Sequence, residues 1–329
     1  MDRGGEIVDQ ENKERNEQEL MSIVSYLYYY ADMNQSDIAS RLFLSRSTIS
    51  RLLKKARASG VVDLKINEPW QRNLALEDSL KTRFSVESVR VLKVQDHWTK
   101  EDILTTLGKM TFFYINCLVE ENTVLGISWG NTISHVVDSF DSNSNIPFTV
   151  VPIMGNKIWP SVKSESLEIS YRFSRIYGAR YLSLDAPLYA KTREQYQELM
   201  QKPDNAEALS YARKADKILT SVGSIEDRSW EDVLGPQKLA RLQELGCVGH
   251  VGGHFFDING YEIEGTYKEL LIGLTLEEIR NVRDVVCVAA SSTKAKAVYG
   301  AIRANLLDAL FITQPLAEQL LEIADQRRL

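Results

Sequence analysis

Arg46, Ser47, Thr48, Ser50, Arg51, Lys54 and Lys55 combine hydroxyls and fixed positive charge within ten residues. Short hydroxyl side chains approach base edges and phosphates closely, arginine grips guanine with two hydrogen bonds, and lysine suits the phosphate backbone. Between Ile38 and Val62 there are six basic residues and no acidic one. That window carries +6 and leaves −12 on the remainder of a chain whose net charge is −6. A basic island on an acidic body docks on phosphate regardless of the overall sign.

Three short helices are needed to present those residues. Leu20, Ile23, Val24, Leu27 and Ala31 fall at helical spacing and predict a first helix over Glu19–Asp32 with one buried stripe. Asn34–Asp37 supply turn and capping chemistry before a second short helix that carries Ile38, Ala39 and Leu42. Phe43 and Leu44 make a tight connection. Ser45 caps a third helix that runs to Ala58 and stops at Gly60, with Ile49, Leu52, Leu53 and Ala56 facing inward. This is the arrangement of a helix-turn-helix that enters a major groove, with Gln35 and Ser45 joining the seven residues above as DNA contacts. Val61–Ile66 alternates as a strand and would serve as a wing. A basic helix can also be merely a solvated face, but here helix lengths, turn position and charge sign agree. Spacing alone does not separate base readers from phosphate clamps.

Residues 1–18 form a polar tail, 19–68 the DNA-binding module, and 69–329 a large body opened by a linker helix with Leu74, Leu76, Leu80 and Phe84. In the body, candidate strands at Val86–Val94, Thr123–Ile127, Phe148–Ile153, Arg180–Leu184, Lys217–Val222, Val285–Ala289 and Ala309–Thr313 alternate with helical stretches such as Ile103–Leu118 and Lys294–Leu307. That alternation predicts a three-layer α/β domain with a mostly parallel sheet. Ligands in such sheets bind at the carboxyl ends of the strands. Four such ends carry suitable chemistry: Ser128-Trp129-Gly130-Asn131-Thr132, Met154-Gly155-Asn156-Lys157, His254 to Asp257, and Thr293-Lys294. Backbone amides, hydroxyls and a helix N-terminus make the first a receiver for anions or hydroxyls. Two roles are open to Trp129, stacking on a sugar ring or packing behind its loop. Two are equally open to Asp257, which precedes Asn259-Gly260: a ligand contact or a hairpin residue.

The stretches LSRSTISRLLKKARASGVVDLKI (Leu44–Ile66), GISWGNT (Gly126–Thr132), GCVGHVGGHFFDING (Gly246–Gly260) and STKAKAVYGAIRANLLDALFIT (Ser292–Thr313), in this order, resemble the SorC family of sugar-responsive bacterial regulators. The similarity runs from about Glu19 to the end. It implies an effector domain related in fold to sugar-phosphate isomerases but without their activity. It also implies a dimer of dimers on operator DNA, altered when a phosphorylated sugar or similar metabolite binds. Carried over by position, the effector contacts are Ser128, Trp129, Gly130, Asn131, Thr132, Met154, Gly155, Asn156, Asp257 and Lys294. The chain departs from the family pattern at several of these loops. Ala290-Ser291 and Asn156 stand where glycines are usual, as does Ser221, and His250 replaces a customary aspartate. Met154 occupies the place of a lysine in deoxyribose-phosphate-responsive members, which excludes a Schiff base there. Glycine loops let amides wrap phosphate, and side chains obstruct that approach. The expectation is therefore a ligand unlike the common sugar phosphates, bound less through phosphate.

A sugar-phosphate isomerase-like enzyme fused to a DNA-binding head is the alternative, with Asp257 and Lys294 as acid–base groups. No histidine or carboxylate pair sits in a recognisable catalytic motif, so a regulator is favoured. His250 and His254 are four apart, but Val-Gly-Gly between them disfavours the helix that would make them metal ligands. No motif calls for a cofactor. Hydrophobic residues make up 44% and charged residues 26%, no apolar run approaches a membrane span of about 18 residues, and no secretory signal opens the chain. Cys117, Cys247 and Cys287 are odd in number and widely spaced, which points to a reducing cytoplasm.

Overall fold

The computed structural model describes residues 3–63, 68–141, 146–157, 165–227, 230–264 and 267–327. The chain divides into two compact units, Met1–Pro69 and Trp70–Leu329.

In the first unit, helices α1 (Arg3–Tyr29), α2 (Gln35–Leu42) and α3 (Arg46–Ala58) enclose a core of Met21, Val24, Ile38, Ala39, Ile49, Leu52, Leu53 and Ala56. From Arg3 onward the predicted polar tail is helical and part of α1. Its Glu, Lys, Gln and Arg residues are strong helix formers, but they lack the apolar stripe by which periodicity is read. The buried stripe is also rotated from the expected one. Met21 packs inside, whereas Ile23 is half exposed. Asn34 caps α2, accepting from the Ser36 and Asp37 amides at 3.0 Å each. Ser45 caps α3 by accepting from the Thr48 amide at 3.0 Å. The connection turns on Phe43, which adopts left-handed backbone at φ 55°. Val61–Asp63 are not a strand, and Leu64–Ile66 of the predicted wing lie outside the described residues.

The second unit opens with α4 (Leu74–Phe84), the predicted linker helix. All seven predicted strands then join one parallel sheet: β1 (Ser88–Leu92), β2 (Val124–Ile127), β3 (Thr149–Pro152), β4 (Arg180–Tyr181), β5 (Lys217–Thr220), β9 (Asp284–Ala289) and β10 (Ala309–Thr313), in the order β1-β10-β9-β5-β2-β3-β4. Alternate residues of each central strand face opposite layers. On β9, Val285, Cys287 and Ala289 enter one core, and Val286 and Val288 enter the other. Burial on both faces explains the continuous apolar runs of a parallel sheet covered by helices, giving the three-layer α/β architecture expected. A small antiparallel sheet, β6 (Gly223–Ser224), β7 (Cys247–Val251) and β8 (His254–Asp257), stands apart from the main one.

The strand order reverses between β2 and β5. From β2 the chain steps outward to β3 and β4, and from β5 it steps the other way to β9 and β10. In an open parallel sheet the loops at such a switch point diverge and leave a crevice above the strand ends.

Candidate functional site

On α3, Arg46, Ser47, Arg51, Lys54 and Lys55 are exposed, and Thr48 and Ser50 are half-buried along the same outward face. The Ser45 hydroxyl is engaged in the cap and lies 2.8 Å and 2.7 Å from the Ser47 and Thr48 hydroxyls. These three residues therefore stiffen the helix start and leave the arginines as its free-reaching groups. Gln35 is the first residue of α2. Lys55 pairs with Glu17 at 2.7 Å, with side chains 52% and 42% exposed. A pair this open contributes roughly 0–1 kcal/mol and gives way readily to a phosphate.

The crevice at the β2–β5 switch point holds a cavity of about 300 Å³. Ser128, Trp129, Gly130, Asn131 and Thr132 reach it from the end of β2, where α6 (Asn131–Asp138) begins directly after Gly130. Met154 and Lys157 reach it from the end of β3. Ser221, Val222 and Gly223 follow β5, and Ala290, Ser291, Thr293 and Lys294 follow β9. Lys100 and Leu104, from the start of α5 (Lys100–Leu118), together with Trp230, Val233, His250 and Gly252, complete the wall.

Trp129 packs behind its loop and also faces the cavity. Its indole donates to the Gly155 carbonyl at 2.7 Å, and its ring stacks on Trp230 with centroids 5.8 Å apart, yet it still lines the cavity. Trp230 in turn meets the His250 ring edge-on at 4.2 Å and Phe255 at 5.3 Å. Lys294 Nζ lies 3.5 Å from the Ser221 hydroxyl. Three lysines line the cavity, and no aspartate or glutamate does among the described residues.

Three of the expected effector contacts lie elsewhere. Gly155 is sealed by packing: a Cβ there would sit 2.2 Å from the Pro187 carbonyl oxygen, and its amide donates to the Ile272 carbonyl at 2.7 Å. Asn156 is 1% exposed and donates to the Leu184 carbonyl at 3.2 Å, so it ties β3 to the neighbouring loop. Asp257 is the hairpin residue. Its Oδ1 accepts from the Asn259 and Tyr261 amides, each at 2.9 Å, in the turn after β8. Its carboxylate is consumed in shaping that turn.

Lys100 and Trp230 escaped the sequence reading. Neither belongs to a motif, and only the topology brings them to strand ends far along the chain. The histidines four apart, His250 and His254, have separate tasks. His250 lines the cavity, while His254 is buried, with Nδ1 2.6 Å from Glu262 and Nε2 2.9 Å from the Leu274 carbonyl. Among the described residues no cluster of three or more His, Cys, Asp or Glu is placed to hold a metal ion. None of their helices is long and apolar enough to cross a membrane.

Residues 68–322 match the Sugar-bind family, described as "Putative sugar-binding domain", and residues 18–59 match sigma-70 region 4. The chain is 28% identical over 307 residues to the sorbitol operon regulator of Klebsiella pneumoniae, covering 91% of this chain and 96% of that protein. It is 27% identical over 316 residues to the transcriptional regulator LsrR of Enterobacter sp. (strain 638), covering 94% of each. The crystal structure of the full-length sorbitol operon regulator SorC from Klebsiella pneumoniae superposes with a TM-score of 0.72 at 26% identity, over 92% of this chain and 98% of that one. With a helix-turn-helix ahead of a Sugar-bind domain that spans most of its length, the chain belongs to the SorC family of bacterial transcriptional regulators.

Proposed function

We propose that this protein regulates a carbohydrate-utilisation operon. It binds double-stranded operator DNA through α2 and α3, and it is controlled by a small sugar, polyol or sugar phosphate in the cavity of the larger unit. One observation carries the reading: a helix with an outward basic and hydroxyl face precedes, in the same chain, a lysine-lined cavity at the switch point of a parallel sheet. Arg46 and Arg51 are the base-reading candidates, with Gln35, Ser47, Thr48 and Ser50 beside them. Lys54 and Lys55 hold phosphate. Ser128, Trp129, Gly130, Asn131, Thr132, Met154 and Lys294 meet the effector, joined by Lys100, Lys157, Ser221, Trp230 and His250.

The effector is sensed and not turned over. What supports sensing is that the relatives matching the chain along its length are named as regulators. Burial pushes the Cys247 thiol up to about 11 and the Cys287 thiol up to about 12, which removes them as nucleophiles. The unpaired cysteines suit a reducing cytoplasm. A homo-oligomer, dimer or tetramer, would present paired recognition helices to paired half-sites. The effector changes DNA affinity only to the extent that it binds two states of the protein unequally.

The lysine lining favours an anionic effector, against the expectation of weak phosphate dependence drawn from the missing glycines. A gel shift at fixed salt, on DNA upstream of the protein's own operon and on random DNA of equal length, tests the reading with a panel of sugars, polyols and sugar phosphates. Specific binding altered by one of these compounds is the expected result. Equal binding to both DNAs would refute operator recognition, and specific binding that no compound alters would refute carbohydrate control.

A further inference from the structure

Phe43 breaks two local rules at once. It is 96% exposed, the most open of the large apolar side chains among the described residues, and its backbone is left-handed at φ 55°. The other described non-glycine residues with positive φ are Asp32, Ser85, Asn122 and Asn305, all small and polar. A single exposed apolar residue is ordinary, and so is a tight turn. A bulky ring that is both strained and open to water contributes nothing to the fold, and glycine or asparagine would serve the turn better. Such a residue is explained by a contact made outside the unit that carries it.

The connector fixes where the ring stands. The Phe43 and Leu44 amides both donate to the Ala39 carbonyl, the second at 2.9 Å. Leu44 packs against the core of the first unit, and the ring beside it is left outside. Phe43 lies three residues before Arg46, so at most about 11 Å of chain separates them. In a helix-turn-helix the first residues of the second helix meet base edges, and the helix before it crosses the phosphate backbone. The ring therefore stands at the rim of the groove that α3 enters.

Charge decides between occupants. Arg41 and Arg46, both exposed, bracket Phe43, in a window from Ile38 to Val62 with six basic residues and no acidic one. A protein socket for the ring would need carboxylates on both of its sides. Duplex DNA offers phosphates to the arginines and, on the base edges between its two backbones, the 5-methyl group of thymine.

We propose that Phe43 helps to determine operator sequence: its ring packs on the 5-methyl group of a thymine at the edge of each half-site, beside the bases that Arg46 reaches. This inference rests on the operator-binding reading above and adds a residue to it.

Selection of bound duplexes from a random DNA library at fixed salt tests it, with full-length wild type, Phe43→Gly and Phe43→Asn. Both replacements suit left-handed backbone, so a melting temperature at or above that of the wild type separates a lost contact from misfolding. The expected result is that wild type selects a thymine at one position of each half-site where neither variant does, with the other positions unchanged. Replacing that thymine by deoxyuridine, which removes only the methyl group, weakens wild-type binding by about fourfold, the worth of one buried methyl, and leaves both variants unaffected. The same selected sequence for all three proteins would overturn the inference and leave the ring to a protein surface. An equal loss on selected and random DNA would overturn it too, as contact with the backbone alone. So would a loss in Phe43→Gly that Phe43→Asn does not share, which marks a loosened connector. Wild type that selects no sequence would overturn the inference and the operator reading together.

Discussion

Gly223 and His250 face each other across the β6–β7 pair, and the imidazole folds down over the glycine. A Cβ on residue 223 would meet His250 Nε2 at 1.9 Å, Cε1 at 2.2 Å and Cδ2 at 2.8 Å. Non-bonded carbon contacts settle near 3.5–4.0 Å, so in Gly223→Ala the ring must retreat by about 1.5 Å. Trp230 at 4.2 Å and Phe255 at 5.4 Å close two of its sides, and the side left open is the cavity. Overpacking of this kind costs about 1–3 kcal/mol, or for about 2 kcal/mol a fall in melting temperature of about 4–8 °C in a unit of this size. His250→Ala alone also destabilises, because it empties a packed aromatic site. In the double variant the alanine methyl occupies space the ring has vacated. The two costs are then less than additive by about 1–2 kcal/mol. Urea unfolding followed by tryptophan emission, across the wild type, both single variants and the double, measures this coupling. Additivity within about 0.5 kcal/mol would refute the ring-over-glycine geometry. Effector titration of Gly223→Ala supplies a second readout, since a ring driven into the cavity must weaken binding.

Phe43 is 96% exposed and held at φ 55°. Phe43→Gly relieves left-handed strain of about 1–2 kcal/mol at the cost of greater freedom in the unfolded chain, so amide exchange of α3 should show a net gain of about 0.5–1 kcal/mol. Arg51→Ala lowers operator affinity by about 1–3 kcal/mol in competition binding if the residue reads a base, with random DNA little affected. Lys54→Ala weakens both DNAs alike and reduces the salt slope by about one. Burial raises the Glu262 carboxyl, but hydrogen bonds from His254 and Lys268 outweigh it and hold the group below its ordinary value. A lowered carboxylate contributes stability that is present above the unfolded value, about 4.3, and lost as pH falls through the folded one. Glu262→Gln should therefore flatten the decline of the urea midpoint below about pH 5, and an unchanged acid limb would assign that decline to other groups.

Legibility from sequence followed burial. The five inner strands of the main sheet could be read because each is covered on both faces and so spells an apolar run, such as Val285–Ala289. Where the sheet thins at its edge, β4 keeps only Arg180–Tyr181 of the predicted Arg180–Leu184. Gly223–Ser224 carries no pattern at all, and its pairing with β7 is visible only in three dimensions. On α1, both Met21 and Ile23 are apolar residues near the stripe. Packing against α3, which local spacing cannot show, chose Met21. The effector loops followed the same logic. Ser128–Thr132 and Lys294 were legible because a strand end running into a helix is a local signal. Asp257 was ambiguous because an Asx turn and a ligand carboxylate are spelled alike, and the turn prevailed through its amide contacts. Lys100 and Trp230 had no local signal to read.

The missing glycines and the three lysines belong to one design. A loop of glycines holds phosphate with backbone amides at fixed positions, which rewards tetrahedral geometry and close approach. Ala290-Ser291 and Ser221 put side chains in that approach. What remains for an anion is the start of α6 at Gly130–Thr132, whose amides stay open to the cavity, and ammonium groups on flexible stems, which act as point charges and discriminate little between phosphate and carboxylate.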